Sequence, residues 1–210
     1  MHLQIITRQI MAPKSFILFT LLTISLYFPT TTAVEYYVTN LAANTPGGIR
    51  FTNEIGIPYT KQIMGTINNF IWSIVFQQNN PSDRTPIDSV NVYIVEFDGA
   101  EAIRWGANNI NDGEGHAPVG LVEGVADYTI LKAGYAPEGF AKPGQGERWD
   151  QGYDFTARFL EYCDGIVLGF VAKLNKKMRF DYDVKYFEDL TGKPVDQLWK
   201  EYKAKYEHEH

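Results

Sequence analysis

Between residues 118 and 133 the chain is apolar at most positions, interrupted by Glu123 and Asp127, and the run reads as a buried or half-buried helix. Downstream, apolar residues keep helical spacing over 150–162, 168–178, 184–190 and 195–206. The second of these stretches ends on Lys173, Lys176, Lys177 and Arg179, cations that complement the negative end of a helix dipole. The upstream half behaves differently. Residues 89–97 (SVNVYIVEF) alternate apolar with polar and predict the clearest strand, broken by Asp98-Gly99. Residues 34–38 (VEYYV) predict a first strand, and 49–53, after a Pro46-Gly47-Gly48 turn, a second. Pro58 then opens a long helix on which Ile63, Ile67, Phe70, Ile71, Ile74 and Val75 recur at helical spacing, closed by a polar run before Pro81. Strands come early and helices late. The class is α+β: a small mixed sheet with one long helix, then a helical C-terminal half. Residues 34–210 read as one domain without repeats or an internal linker.

The first 33 residues change that picture only at the start. Arg8 and Lys14 precede an uncharged apolar run, 16–28, too short to span a bilayer comfortably, and Thr31-Thr32-Ala33 offers small residues for cleavage. This predicts a secretory signal peptide and a protein of the extracellular space, the apoplast in a plant. Its removal takes two of the 19 Lys and Arg and none of the 25 Asp and Glu, so the net charge moves from −6 to −8. That balance argues against nucleic acid and anionic membrane surfaces as partners. Cys163 is the single cysteine, so no internal disulfide can form, and its place among Phe155, Phe159 and Leu160 reads as core. A monomer held by its apolar core is expected.

Glu123 and Asp127 are the candidates for chemistry. Four residues apart, they share one face of the 118–133 helix, and carboxylates on an apolar helix are costly to bury unless they bind something. Tyr153 could supply a phenol to a site, or pack in the core with its hydroxyl satisfied. Glu101 and Arg104, beside Trp105, read more simply as a surface ion pair.

Several long segments, in order, resemble the plant basic secretory protein family. They are Gly120-Leu121-Val122-Glu123-Gly124-Val125-Ala126-Asp127-Tyr128, Leu131-Lys132-Ala133-Gly134-Tyr135-Ala136-Pro137, Arg148-Trp149-Asp150-Gln151-Gly152-Tyr153, Thr156-Ala157-Arg158-Phe159-Leu160 and Leu174-Asn175-Lys176-Lys177-Met178. Arg50-Phe51-Thr52-Asn53-Glu54-Ile55-Gly56 and Val95-Glu96-Phe97-Asp98-Gly99-Ala100 extend the likeness to the N-terminal half. The resemblance implies a zincin-like fold and descent from secreted zinc metallopeptidases. In such a site two His of an HExxH helix hold Zn²⁺, the Glu between them activates water, and a later helix supplies an acidic third ligand. It implies Glu123 as that third metal ligand, with Asp127 behind it orienting a ligand His.

The chain contains no HExxH. Its histidines are His2, His116, His208 and His210. The zinc helix and a preceding extended segment would fall near 111–112, so an internal loss is expected there, by exon skipping, an erroneous gene model or degeneration. Glu123 with His116 makes two ligands, one fewer than a catalytic zinc takes from protein; His116 otherwise reads as a solvated loop residue. Zinc is therefore expected to bind weakly or not at all, and a void or exposed apolar surface is expected around Val122, Val125 and Ala126. The reading is a secreted metallopeptidase relative without activity, with a role in defence. The alternative is a non-catalytic extracellular protein that binds a peptide or a cell-wall glycan.

Overall fold

A computed structural model describes residues 34–96 and 110–207. The signal segment, the Asp98-Gly99 break, Glu101, Arg104, Trp105, His208 and His210 lie outside the described residues. Strand β1, Glu35–Asn40, pairs in parallel with β2, Ser89–Ile94, with Val38 opposite Val92 and Asn40 opposite Ile94. A parallel pair requires a long crossover, and helices α1 (Pro46–Arg50) and α2 (Ile57–Phe70) provide it. The remaining helices are α3 (Val119–Lys132), α4 (Tyr153–Ile166), α5 (Phe170–Lys177), α6 (Tyr186–Thr191) and α7 (Val195–Tyr206). Strands early and helices late make this an α+β chain, as the hydrophobic pattern requires.

The second expected strand, residues 49–53, is helical instead: α1 runs into a π-helical turn, Phe51–Ile55. Local hydrogen bonding overrides a modest strand propensity here. The Thr45 hydroxyl accepts from the Gly48 amide, Pro46 sits in the first turn, and Asn40 Nδ2 donates to the Gly48 carbonyl at 2.8 Å. With that segment helical, the described sheet has two strands, both parallel. Helix α2 continues through another π-helical turn, Ile71–Val75, before Phe76 and the polar run beyond it.

The main core lies in the C-terminal half. Leu121 and Val125 of α3, Phe159, Leu160 and Cys163 of α4, and Phe170 and Leu174 of α5 are completely or almost completely buried with Leu198 and Tyr202 of α7. Phe187 sits among rings, with centroids 5.2 Å from Trp149, 5.4 Å from Phe170 and 6.1 Å from Phe159. Cys163 is core, and burial pushes its thiol far above the ordinary value. Helix α4 begins at Tyr153 rather than Asp150 and runs on to Ile166. The three preceding residues form a turn tied to the helix: Thr156 Oγ1 accepts from the Gly152 amide and donates to the Trp149 carbonyl, both at 2.9 Å.

The uncovered apolar surface is not where the sequence places it. Val125 is fully buried and Val122 and Ala126 are half-buried, because α3 packs closely on α4. Upstream, no residue of α2 is fully buried, Tyr37 and Tyr93 on the outer face of the sheet are half or more exposed, and so are Leu41 and Val95 just past the strand ends.

The α3–α4 contact depends on small residues. A Cβ built on Gly124 would overlap Cβ and Cγ2 of Thr156, and one on Gly120 would overlap the Asp150 carbonyl oxygen. Alanine in a helix ordinarily gains up to about 1 kcal/mol over glycine. Gly124→Ala is expected instead to destabilise by about 1–3 kcal/mol, because the overlap forces the helices apart. Chemical denaturation of the variant beside the parent chain measures the sign directly.

Candidate functional site

Helix α3 presents Glu123 and Asp127 one turn apart, both half-buried. It can do so because the neighbouring positions Gly120 and Gly124 bring its backbone against the start of α4. That approach adds a third carboxylate which the sequence did not single out, Asp154, in the first turn of α4. The Asp127 carboxyl is raised above its ordinary range, first by burial and then by the negative charges of Asp154 and Glu123. Asp154 has a structural duty as well: its Oδ2 accepts from the Ala141 amide at 2.7 Å, and Arg158 Nε holds the Ala141 carbonyl at 2.7 Å. Together these fasten the long loop between α3 and α4. An aspartate at a helix's first turn, where the dipole favours it, is the signal that could have drawn attention to Asp154.

Tyr153, adjoining Asp154, opens α4 with φ +50°, a left-handed conformation uncommon outside glycine, and its side chain is 63% exposed. It is therefore not a core tyrosine: its ring faces solvent at the end of α4 that lies against α3.

His116 lies in the turn before α3, and its Nδ1 is 3.1 Å from Asp181 Oδ1 in an exposed pair. Asp181 is held below the usual carboxylate range, mainly by the Tyr182 backbone N–H and next by His116. The histidine thus has an acidic partner 65 residues away in sequence, on the segment after α5. A catalytic zinc takes three protein ligands. Among the described residues no group of three or more His, Cys, Asp and Glu side chains is arranged to hold a metal ion. Among the described residues the donors around Glu123 do not make up the three ligands of the zinc that the resemblance implies, and what they offer is a half-buried acidic surface formed by Glu123, Asp127 and Asp154.

Comparisons with known proteins bear on the whole chain. A family model described as peptidase of plants and bacteria matches residues 31–111 and 103–202, two segments that overlap at 103–111. A basic secretory protease from Boswellia serrata is 45% identical over 58 residues, 28% of this chain and 66% of that protein. The match thus spans just under two thirds of the relative's own length. No solved structure matches.

The raised Asp127 carboxyl sets a pH dependence. Its folded-state pKa exceeds its unfolded value, so its favourable contribution is complete below the unfolded value, near 3.9, and is lost as pH rises through the folded value. Asp127→Asn, which removes the charge, is expected to raise Tm at pH 7. The gain should shrink as pH falls through the folded value and vanish by about pH 2, where the parent carboxyl is protonated in both states. Thermal melts of the two proteins across that range check the sign.

Proposed function

The chain belongs to the basic secretory protein family, peptidases of plants and bacteria, and from that premise we propose that it is a secreted member that does not hydrolyse peptides. The observation that carries this reading is the lack of an HExxH sequence anywhere in the two overlapping segments that match the family model. A zincin needs two imidazoles a helical turn apart and the glutamate between them to hold the metal and take a proton from water. The four histidines of this chain, His2, His116, His208 and His210, contain no such pair. Glu123 is the family's third ligand without its companions, and Asp127 the orienting carboxylate without an imidazole to orient. The divided match supports a lost internal segment, since its two halves meet at 103–111, beside the place where the zinc helix would enter. The exposed apolar residues of the sheet's outer face and of α2 support it too, as surface that a further strand and helix would cover. Secretion rests on the signal-like first 33 residues, and a role in defence outside the cell is part of the same proposal.

A second reading, an extracellular binding protein for a peptide or a cell-wall glycan, is favoured by the outer face of the sheet. There Tyr37 and Tyr93 stand half exposed around Thr39 and Asn91, a surface of rings, a hydroxyl and an amide with Lys61 Nζ 5.8 Å from the Tyr37 ring centroid. Rings beside neutral hydrogen-bonding groups suit a sugar or an extended uncharged peptide.

One preparation tests both. The purified chain, supplied with Zn²⁺ and a mixed peptide library, is expected to show no hydrolysis above a chelator-treated control and no stoichiometric zinc by elemental analysis. Chelator-sensitive cleavage would sink the first reading. Metal-independent retention on an oligosaccharide array, abolished by Tyr37→Ala with Tyr93→Ala, would establish the second.

A further inference from the structure

A cleft of about 190 Å³ opens between the segment after α2 and the end of α5. Phe76, Gln78, Asn111, Lys176, Arg179 and Phe180 are among its lining residues. It is smaller than the roughly 300–1,000 Å³ of sites for drug-sized molecules, so it suits a fragment about the size of one amino-acid residue.

Its polar groups are unevenly matched. Gln78 is 7% exposed, and among the described residues its Oε1 has no hydrogen-bond partner. A buried amide acceptor left unpaired is destabilising unless a ligand satisfies it. The backbone around it is held in place: the Gln78 amide donates to the Trp72 carbonyl, and Arg84 Nε donates to the Gln78 carbonyl at 3.0 Å. The unpaired group is therefore the side-chain amide oxygen of a residue that lines the cleft. Two cations stand nearby against one acid. Lys176 Nζ is 3.9 Å from Asp83 Oδ1, a loose and exposed pair. Arg179 donates from Nη1 to the Ser82 carbonyl at 3.3 Å, one bond of the five a guanidinium can make.

We propose that this cleft binds a carboxylate flanked by an N–H donor, the chemistry shared by a peptide's carboxyl-terminal residue and a free amino acid. Arg179 and Lys176 take the carboxylate, the guanidinium in the forked geometry that suits it. Gln78 accepts from the neighbouring N–H, and Phe76 and Phe180 bracket the apolar remainder. Lys176 also offsets the negative end of α5, but that duty needs neither the cleft nor the unpaired amide. The site stands apart from the acidic surface on α3 and does not depend on whether the chain hydrolyses anything.

Calorimetric titration of the purified chain tests it with four probes: N-acetylglycine, N-acetylglycinamide, glycine and acetate. N-acetylglycine is expected to saturate the protein and to bind at least tenfold tighter than N-acetylglycinamide, which lacks the carboxylate. Arg179→Ala, at a partly exposed position, should weaken it about tenfold. Gln78→Leu should weaken N-acetylglycine while leaving acetate unchanged, which a merely structural loss would not do. Tighter binding of glycine than of N-acetylglycine identifies a free amino acid as the ligand, and the reverse order a peptide end. Failure to saturate by about 10 mM, equal binding of the blocked amide, or undiminished binding by the Arg179→Ala protein would each overturn the proposal.

Discussion

The closeness of α3 to α4 is the constraint on which the rest of the C-terminal half depends. Two glycines a helical turn apart, Gly120 and Gly124, leave no side chain between the helices, so Thr156 and the Asp150 carbonyl press on the α3 backbone. Packed that tightly, Leu121 and Val125 reach the core that Phe159, Leu160 and Cys163 build from the other side. The Thr156 hydroxyl then serves two elements, bridging the turn before α4 to the helix itself. The loop between the helices is long, but Asp154, Arg158 and, from α7, Lys203 hold its backbone, the last through the Gly144 and Gly146 carbonyls. A chain without a disulfide keeps a twenty-residue connection in place by such charge-assisted bonds.

The same approach explains the electrostatics. Glu123 and Asp127 would be an ordinary solvated pair on an isolated helix. Set against α4 they gain Asp154 as a neighbour and lose water, and the strain appears in the Asp127 carboxyl. The packing thus gathers like charges, and Asp127 carries the repulsion of Asp154 and Glu123. Half-burial rather than full burial keeps that repulsion tolerable.

Much of this was legible in the sequence, and the limits follow a physical rule. Helices α3, α5 and α7 could be placed within a residue or two, because long apolar periodicity reports the face that must be buried. Residues 49–53 could not, because their state is decided by bonds from Thr45 and Asn40 rather than by their own side chains. The start of α4 was missed for a related reason, the Thr156–Trp149 bond that takes up the preceding residues as a turn. Glu123 and Asp127 were visible because helical spacing puts them on one face. Asp154 beside Asp127 and Asp181 beside His116 were invisible, since each pairing joins different elements and no local pattern encodes it.

Apolar burial is shared unevenly between the two halves. A small domain gathers its apolar side chains into one core. The C-terminal half does so around Phe159, Leu160 and Leu198, although Val119 and Leu168 stay exposed. The N-terminal half does not: α2 has a helical apolar repeat and yet no fully buried residue, and the sheet shows rings on its open side. Exposed apolar residues scattered singly are ordinary, but Tyr37 and Tyr93 share one face of a two-stranded sheet, with Leu41 and Val95 exposed just past the strand ends. Two strands rarely hold by themselves, and here α2 supports the inner face, with Asn68 bonded to the Tyr36 hydroxyl at 2.8 Å. The proposal of a lost segment therefore draws on two independent observations, the absence of an HExxH pair from the sequence and the apolar side chains left in water.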